Sequence, residues 1–367
     1  MSRPKIAVED SVNGLRGLAL LLIVTTHYVP SGLFSFNLAK PTASVLFVAT
    51  GYFLTSILTR FEAQLNGGFG ERARAAAAIF GLRHVRVWPV LACVIGFYVV
   101  LGLVDRGPLT SQILTTWPLY LGYMGNVPKM LFEGQAFPAH FWLISAQEQL
   151  VAIYLLVALV FGLRTLKALL WWMIPLSLGA RVLGGALLMP EHPALALETP
   201  LAVADALSIG MLLGFAVRGQ VSRTTLRRLA VGLGIGVLMV WAMLPNLNAV
   251  YFSLAPFGVA LLACALVLTV TDELRADSVH AGLLGSPLLV VCGQMSLSLF
   301  LLHPLVNTVL TLSYPKLAGA IMPWWLLLIV GPPLSLLVSF VFFRLVEVPV
   351  RRARGLVNPA PLRPAAA

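Results

Sequence analysis

Charge is what this chain has least of. Only 11% of its 367 residues are charged, against 59% hydrophobic, and the mean hydropathy is +0.91. That balance excludes a soluble globular protein, whose surface would have too little polar area to offer water. Acidic residues are the scarcer sign, 14 against 25 Lys and Arg, for a formal net charge of +11. The arginines sit at the ends of apolar runs and in short loops, so the excess reads as a topology signal and not as a nucleic-acid signature. No nucleic-acid partner is expected. Cysteine is nearly missing: Cys93, Cys264 and Cys292 lie in apolar segments at no metal-ligand spacing, which excludes a disulfide framework and gives no reason to expect a metal. The period-2 alternation of a membrane β-barrel is missing as well, and so is an internal repeat.

What remains is a series of apolar runs of about 20 residues, each long enough to cross ~30 Å of hydrocarbon as a helix. The fold class is all-α, a polytopic membrane bundle whose partner is the lipid bilayer. Spans are expected at about residues 13–32, 39–60, 87–104, 141–163, 168–189, 201–217, 229–246, 249–271, 287–312 and 323–345. The first run lacks an A-x-A-type cleavage site and reads as a retained span. Residues 111–125, with Pro118 and several aromatics, are short for a crossing. Parity decides against one. With ten crossings the segment 61–86, Arg164/Lys167, Arg218 to Arg228 and Arg351 to Arg354 all face the cytoplasm, as do both termini, and 105–140 becomes one external segment, re-entrant or lying on the bilayer. Residues 1–357 then form one integral membrane domain, and the Pro/Ala-rich residues 358–367 a disordered tail.

Ionisable residues inside spans are costly and point to function by default. Arg16 and His27 share one stripe of the first span, about 20° apart around the helix and ~16 Å apart along it. Counting from span ends places His27, Glu148 and His303 near one level, where an imidazole and a carboxylate would suit general acid/base chemistry. Each taken alone also fits a plain structural role. Arg181 and Asp205 form a second pair, a salt bridge or an anion site for a substrate. Near the cytoplasmic side, Arg83, Arg86, Arg351 and Arg352 suit phosphate, or else anionic lipid headgroups.

Several blocks together resemble the acyltransferase 3 family of integral membrane acyltransferases. They are Asn13-Gly-Leu-Arg16-Gly with His27 eleven residues after Arg16, Phe47 to Thr55, Arg83-x-x-Arg86-x-x-Pro89, His140 to Gln149, Ser296 to Pro304, and Glu347-x-Pro349-x-Arg351-Arg352. They run in family order over almost the whole chain. The resemblance implies an enzyme that moves an acyl group from acyl-CoA on the cytoplasmic face to a hydroxyl of an extracytoplasmic or lipid-linked glycan, in a bacterial inner membrane. Acetyl-CoA and succinyl-CoA are the candidate donors. Functional positions carried over are Arg16, His27, Arg83 and Arg86. Departures are Asn13 in place of Asp, Gln147 in place of a second carboxylate, and Leu297 or Leu299 near a usual Tyr; no SGNH hydrolase-like extension is expected.

On this reading His27 is the base, Glu148 orients it, His303 lines the site and Arg16 guides the CoA or steadies developing charge. Arg83 and Arg86, with Arg351 and Arg352, hold the phosphates. Arg181, if not committed to Asp205, would meet a succinyl carboxylate. A proton-coupled transporter or lipid-linked sugar flippase is the competing reading, since it too would gather such groups in a cavity.

Overall fold

The computed structural model describes residues 8–29, 39–132, 136–188, 198–244, 248–272 and 279–353. The tail expected at 358–367 and most of the acidic loop at 190–200 lie outside them. Every regular element among the described residues is helical, and the chain is an integral membrane protein. Eight helical stretches are long and apolar enough to cross a membrane. One of these, residues 139–186, contains helix α7 (Trp142–Leu183), which breaks at Gly162 with φ 84° and ψ 172°, a conformation open essentially to glycine alone. Tyr154 before the break and Ser177 after it both reach α8 (Ala204–Arg218), at Ser208 and at Asp205 one turn earlier, so the two limbs are antiparallel. Counting them separately, and adding α1 (Val8–His27) at about 30 Å, gives the ten crossings expected.

Two expected boundaries change. The stretch 61–86, read as a loop, is mostly helical: after α3 (Glu62–Leu65), α4 (Phe69–Asp105) runs unbroken for 37 residues, about 55 Å. Its arginines bear on which side of the membrane it faces, while the run Arg72 to Gly81, rich in Ala, sets its conformation. The span expected at 287–312 is two helices, α12 (Pro287–Gln294) and α13 (Ser296–Ala318), separated at Met295. The segment after Asp105 is re-entrant. Its helix α5 (Ile113–Leu121) descends along α4 until Trp88 Nε1–H donates to the Leu121 carbonyl, 3.3 Å away. The chain then turns through α6 (Asn126–Leu131) and returns, where the Phe137 amide donates to Gln112 Oε1 at 3.1 Å. Protein groups satisfy the backbone at its deepest point, Ser145 Oγ accepting from the Gly125 amide and Gln149 Nε2–H donating to the Tyr123 carbonyl.

The placement of α1 depends on glycine. A Cβ on Gly14 would lie 1.7 Å from the Leu284 carbonyl of α11 (Val279–Leu284), one on Gly17 2.1 Å from that of Leu289, and one on Gly293 1.8 Å from that of Asn13. Backbone therefore rests on backbone, and α1 has one seat. In that seat the Arg16/His27 stripe lies on the packed side of the helix, with Leu20 and Ile23 almost fully buried between Arg16 and an exposed His27 at the helix end, while Leu18, Leu22 and Thr25 on the other side are exposed.

This contact is testable in detergent by thermal unfolding. Gly293→Ala must push two helices apart and is expected to destabilise by about 1–3 kcal/mol. Gly96→Ala, where an added Cβ meets nothing within 4 Å, should be neutral or stabilising.

Candidate active site

Two clusters occupy the two ends of the inward stripe of α1. At the end that carries Arg60 and Arg218, the basic end, Arg16, Arg83, Arg86 and Arg351 lie within electrostatic reach of one another and of Glu347. Arg83 donates from Nε to both carboxylate oxygens of Glu148, at 2.8 and 2.7 Å, and a terminal nitrogen adds a 2.7 Å contact. Arg351 pairs with Glu347, which is fully buried and also accepts from Ser298 Oγ. A π-helical turn, Phe343–Glu347, carries that carboxylate. Arg16 donates to Ser296 Oγ at 2.6 Å. Among the described residues no carboxylate pairs with Arg16 or Arg86. Four guanidinium groups thus meet two carboxylates, and an excess of two positive charges is left half-buried, an arrangement suited to an anion with more than one charge.

The other cluster is made of imidazoles. The rings of His27 and His303 stand 4.9 Å apart, centroid to centroid, at 73°, and His140 stands 5.7 Å from His303. Each ring is fixed by a backbone carbonyl: His27 Nδ1–H donates to Ile23 at 2.7 Å, His303 Nδ1–H to Leu299 at 3.0 Å and His140 Nε2–H to Leu301 at 3.3 Å. A carbonyl only accepts, so in the neutral ring the lone pair of His27 sits on Nε2. His27 is exposed, His303 and His140 are buried. Only His27 offers a base that a substrate can reach. Helices α1 and α13 run side by side between the clusters, joined at Arg16–Ser296 below and at His27–His303 above.

Three expectations need correction. Glu148 does not share a level with the histidines. It lies eight residues beyond His140, about 12 Å deeper, and is bound to Arg83, so it cannot orient His27. Depth counted from the start of its span failed because that span begins inside the re-entrant fold. Arg181 and Asp205 form a closed pair, bidentate at 2.9 and 2.6 Å with each side chain 2% exposed, and Arg181 also donates to the Ala202 carbonyl. The cavity they border, about 20 Å³, has room for a water and not for a substrate. Arg352, expected to hold phosphate beside Arg351, is exposed and is not among the charges that act on Arg16 or Arg86.

His140 and Glu347 are the site residues that sequence reasoning quoted without giving a role. Glu347 was detectable, four residues before Arg351 and so on the same helix face. His140 had no such signal, because its place depends on the return limb of the re-entrant segment.

If the Arg181–Asp205 pair is structural, Arg181→Met alone leaves a buried unpaired carboxylate and should destabilise by about 3–5 kcal/mol. Arg181→Met combined with Asp205→Leu should recover folding and keep the protein's activity, as read by unfolding midpoint and turnover. Loss of activity in the folded double variant would return the pair to the substrate site.

No curated protein and no solved structure matches the chain. A family model described as an acyltransferase domain matches residues 9–344, which takes in Arg16, Arg83, Arg86, Glu148 and the three clustered histidines and ends just before Glu347 and Arg351. An arginine-rich end, a free imidazole nitrogen at the far end of the same helix, and this match agree: the chain belongs to the acyltransferase 3 family and is a membrane acyltransferase.

Proposed function

We propose that the protein moves an acyl group from cytoplasmic acyl-CoA, bound at the arginine cluster, to a hydroxyl of an extracytoplasmic or lipid-linked glycan at His27. The observation that carries this reading is the pair of uncompensated arginines, Arg16 and Arg86, at one end of a stripe whose other end presents His27 Nε2. An acyl-CoA has the matching shape, several phosphates joined by a flexible arm to a thioester. The basic end is then cytoplasmic by the positive-inside rule, which fits a bacterial inner membrane with both termini inside.

In this reading Arg83 is held in place by Glu148 and Arg351 by Glu347, so that Arg16 and Arg86 supply the free charge. Phosphates add to a fixed scaffold of guanidinium groups and need not compete for all of them. His27, with its Nδ1–H anchored on Ile23, takes the proton of the acceptor hydroxyl on Nε2 as the oxygen attacks the thioester. Acetyl fits the histidine end better than succinyl, since Arg181 is held by Asp205 and has no charge to spare for a distal carboxylate.

Release of CoA thiol by the purified protein, with acetyl-CoA and a glycan acceptor, tests the assignment. His27→Ala should lower turnover by about 10²–10⁴-fold with acyl-CoA binding intact. Arg86→Ala should chiefly weaken acyl-CoA binding, more so at high salt. Near-normal turnover in folded His27→Ala would remove the general-base role.

A further inference from the structure

His303 carries an atom that the proposed chemistry has not used. Its side chain is completely buried and its Nε2 has no hydrogen-bond partner among the described residues. A buried acceptor left without a partner costs about 1–3 kcal/mol, so a native structure that keeps one calls for a reason. The ring is held firmly. Its Nδ1–H is bound to the Leu299 carbonyl, and its own carbonyl accepts from the Tyr28 hydroxyl at 2.9 Å, which in turn contacts Ser335 Oγ at 2.6 Å. Gly331 lies under the Tyr28 ring, where a Cβ would come within 2.2 Å. On the α1 side, Asn307 Nδ2–H donates to the His27 carbonyl, tying the two helices at this level.

His27 needs a partner when it takes a proton. In many general-base sites a carboxylate fills that place, but among the described residues no carboxylate bonds to His27, and Glu148 is taken by Arg83. The group beside the His27 ring is His303, 4.9 Å away, with a fixed tautomer and a free lone pair. His140 is the other imidazole nearby, and Lys129 lies within electrostatic reach and is paired with Glu198.

We propose that His303 is a positioning residue for His27, its Nε2 sharing the proton that His27 takes from the acceptor hydroxyl. This rests on the reading of His27 as the base. In the step itself the acceptor oxygen bonds to the thioester carbon as its proton passes to His27 Nε2. The C–S bond then breaks, its electron pair leaves on the CoA sulfur, and the proton returns from His27 to that sulfur, giving the ester and CoA thiol. Between the two transfers His27 carries the charge, and the second imidazole beside it offers a lone pair to the new N–H while carrying no charge of its own.

His303→Asn keeps an amide N–H for the Leu299 carbonyl and removes Nε2. It is expected to bind acyl-CoA as the wild type does while kcat falls about 10–100-fold. His303→Ala should lose at least as much and regain activity with added imidazole, a response that a packing role would not give. Turnover of His303→Asn within twofold of wild type, or a folded His303→Ala that imidazole does not rescue, would overturn the proposal. Should His303→Ala fail to fold, His303→Asn decides alone. Retained activity in His27→Ala would instead remove the base reading itself, whatever His303→Asn shows.

Discussion

A guanidinium group inside or beside hydrocarbon must have a partner, or a water-filled place to face, and this chain carries four of them close together. The structure meets that constraint unevenly. Glu148 neutralises Arg83 and Glu347 neutralises Arg351, while Arg16 and Arg86 have no carboxylate. Full neutralisation would make the cluster a structural core of salt bridges. The residual charge instead makes it a place where an anion is more stable than water. Each carboxylate reaches the cluster by an irregular element, Glu148 from a span that starts inside the re-entrant fold and Glu347 from a π-helical turn. Irregular backbone at membrane depth is tolerated only where protein or water satisfies it, and here it supplies the charges that hold the arginines in place.

The helix that joins this cluster to the histidines has little freedom. Backbone contacts at Gly14, Gly17 and Gly293 set its position, and the apolar residues Leu18 and Leu22 turn outward while Arg16 meets Ser296 and the exposed His27 meets His303 on the other side. Leu20 and Ile23, between the two polar ends, are almost fully buried. An arm that reaches from Arg16 to His27 has to pass beside the contact of α1 with α13 or part it. The two helices are tied at both levels, through Ser296 below and through Asn307 above.

Much of this was legible in the sequence, for reasons that can be named. Apolar run lengths gave the bundle, and loop arginines gave its parity, because hydrocarbon thickness and charge placement act on the sequence directly. The inward stripe of Arg16 and His27 followed from helical periodicity alone, and the gathering of Arg83, Arg86 and Arg351 was signalled by their common end. What could not be read is where the chain leaves regular geometry. The descent of residues 113–121 beside α4 shifts the start of the next span inward, which moved Glu148 from the histidines to the arginines. The same return limb brings His140 beside His303. Whether Arg181 was committed to Asp205 depended on side-chain geometry between two helices, and only the coordinates of both supply it.

The central claim is that donor and acceptor meet the protein at opposite ends of α1. Proteoliposomes of one orientation, supplied with membrane-impermeant acyl-CoA on one side and glycan acceptor on the other, test it most directly. Acylated glycan should form when the acyl-CoA is on the side of Arg60 and Arg218 and the acceptor on the side of His27. Equal product from the reverse arrangement, or product only there, would contradict it.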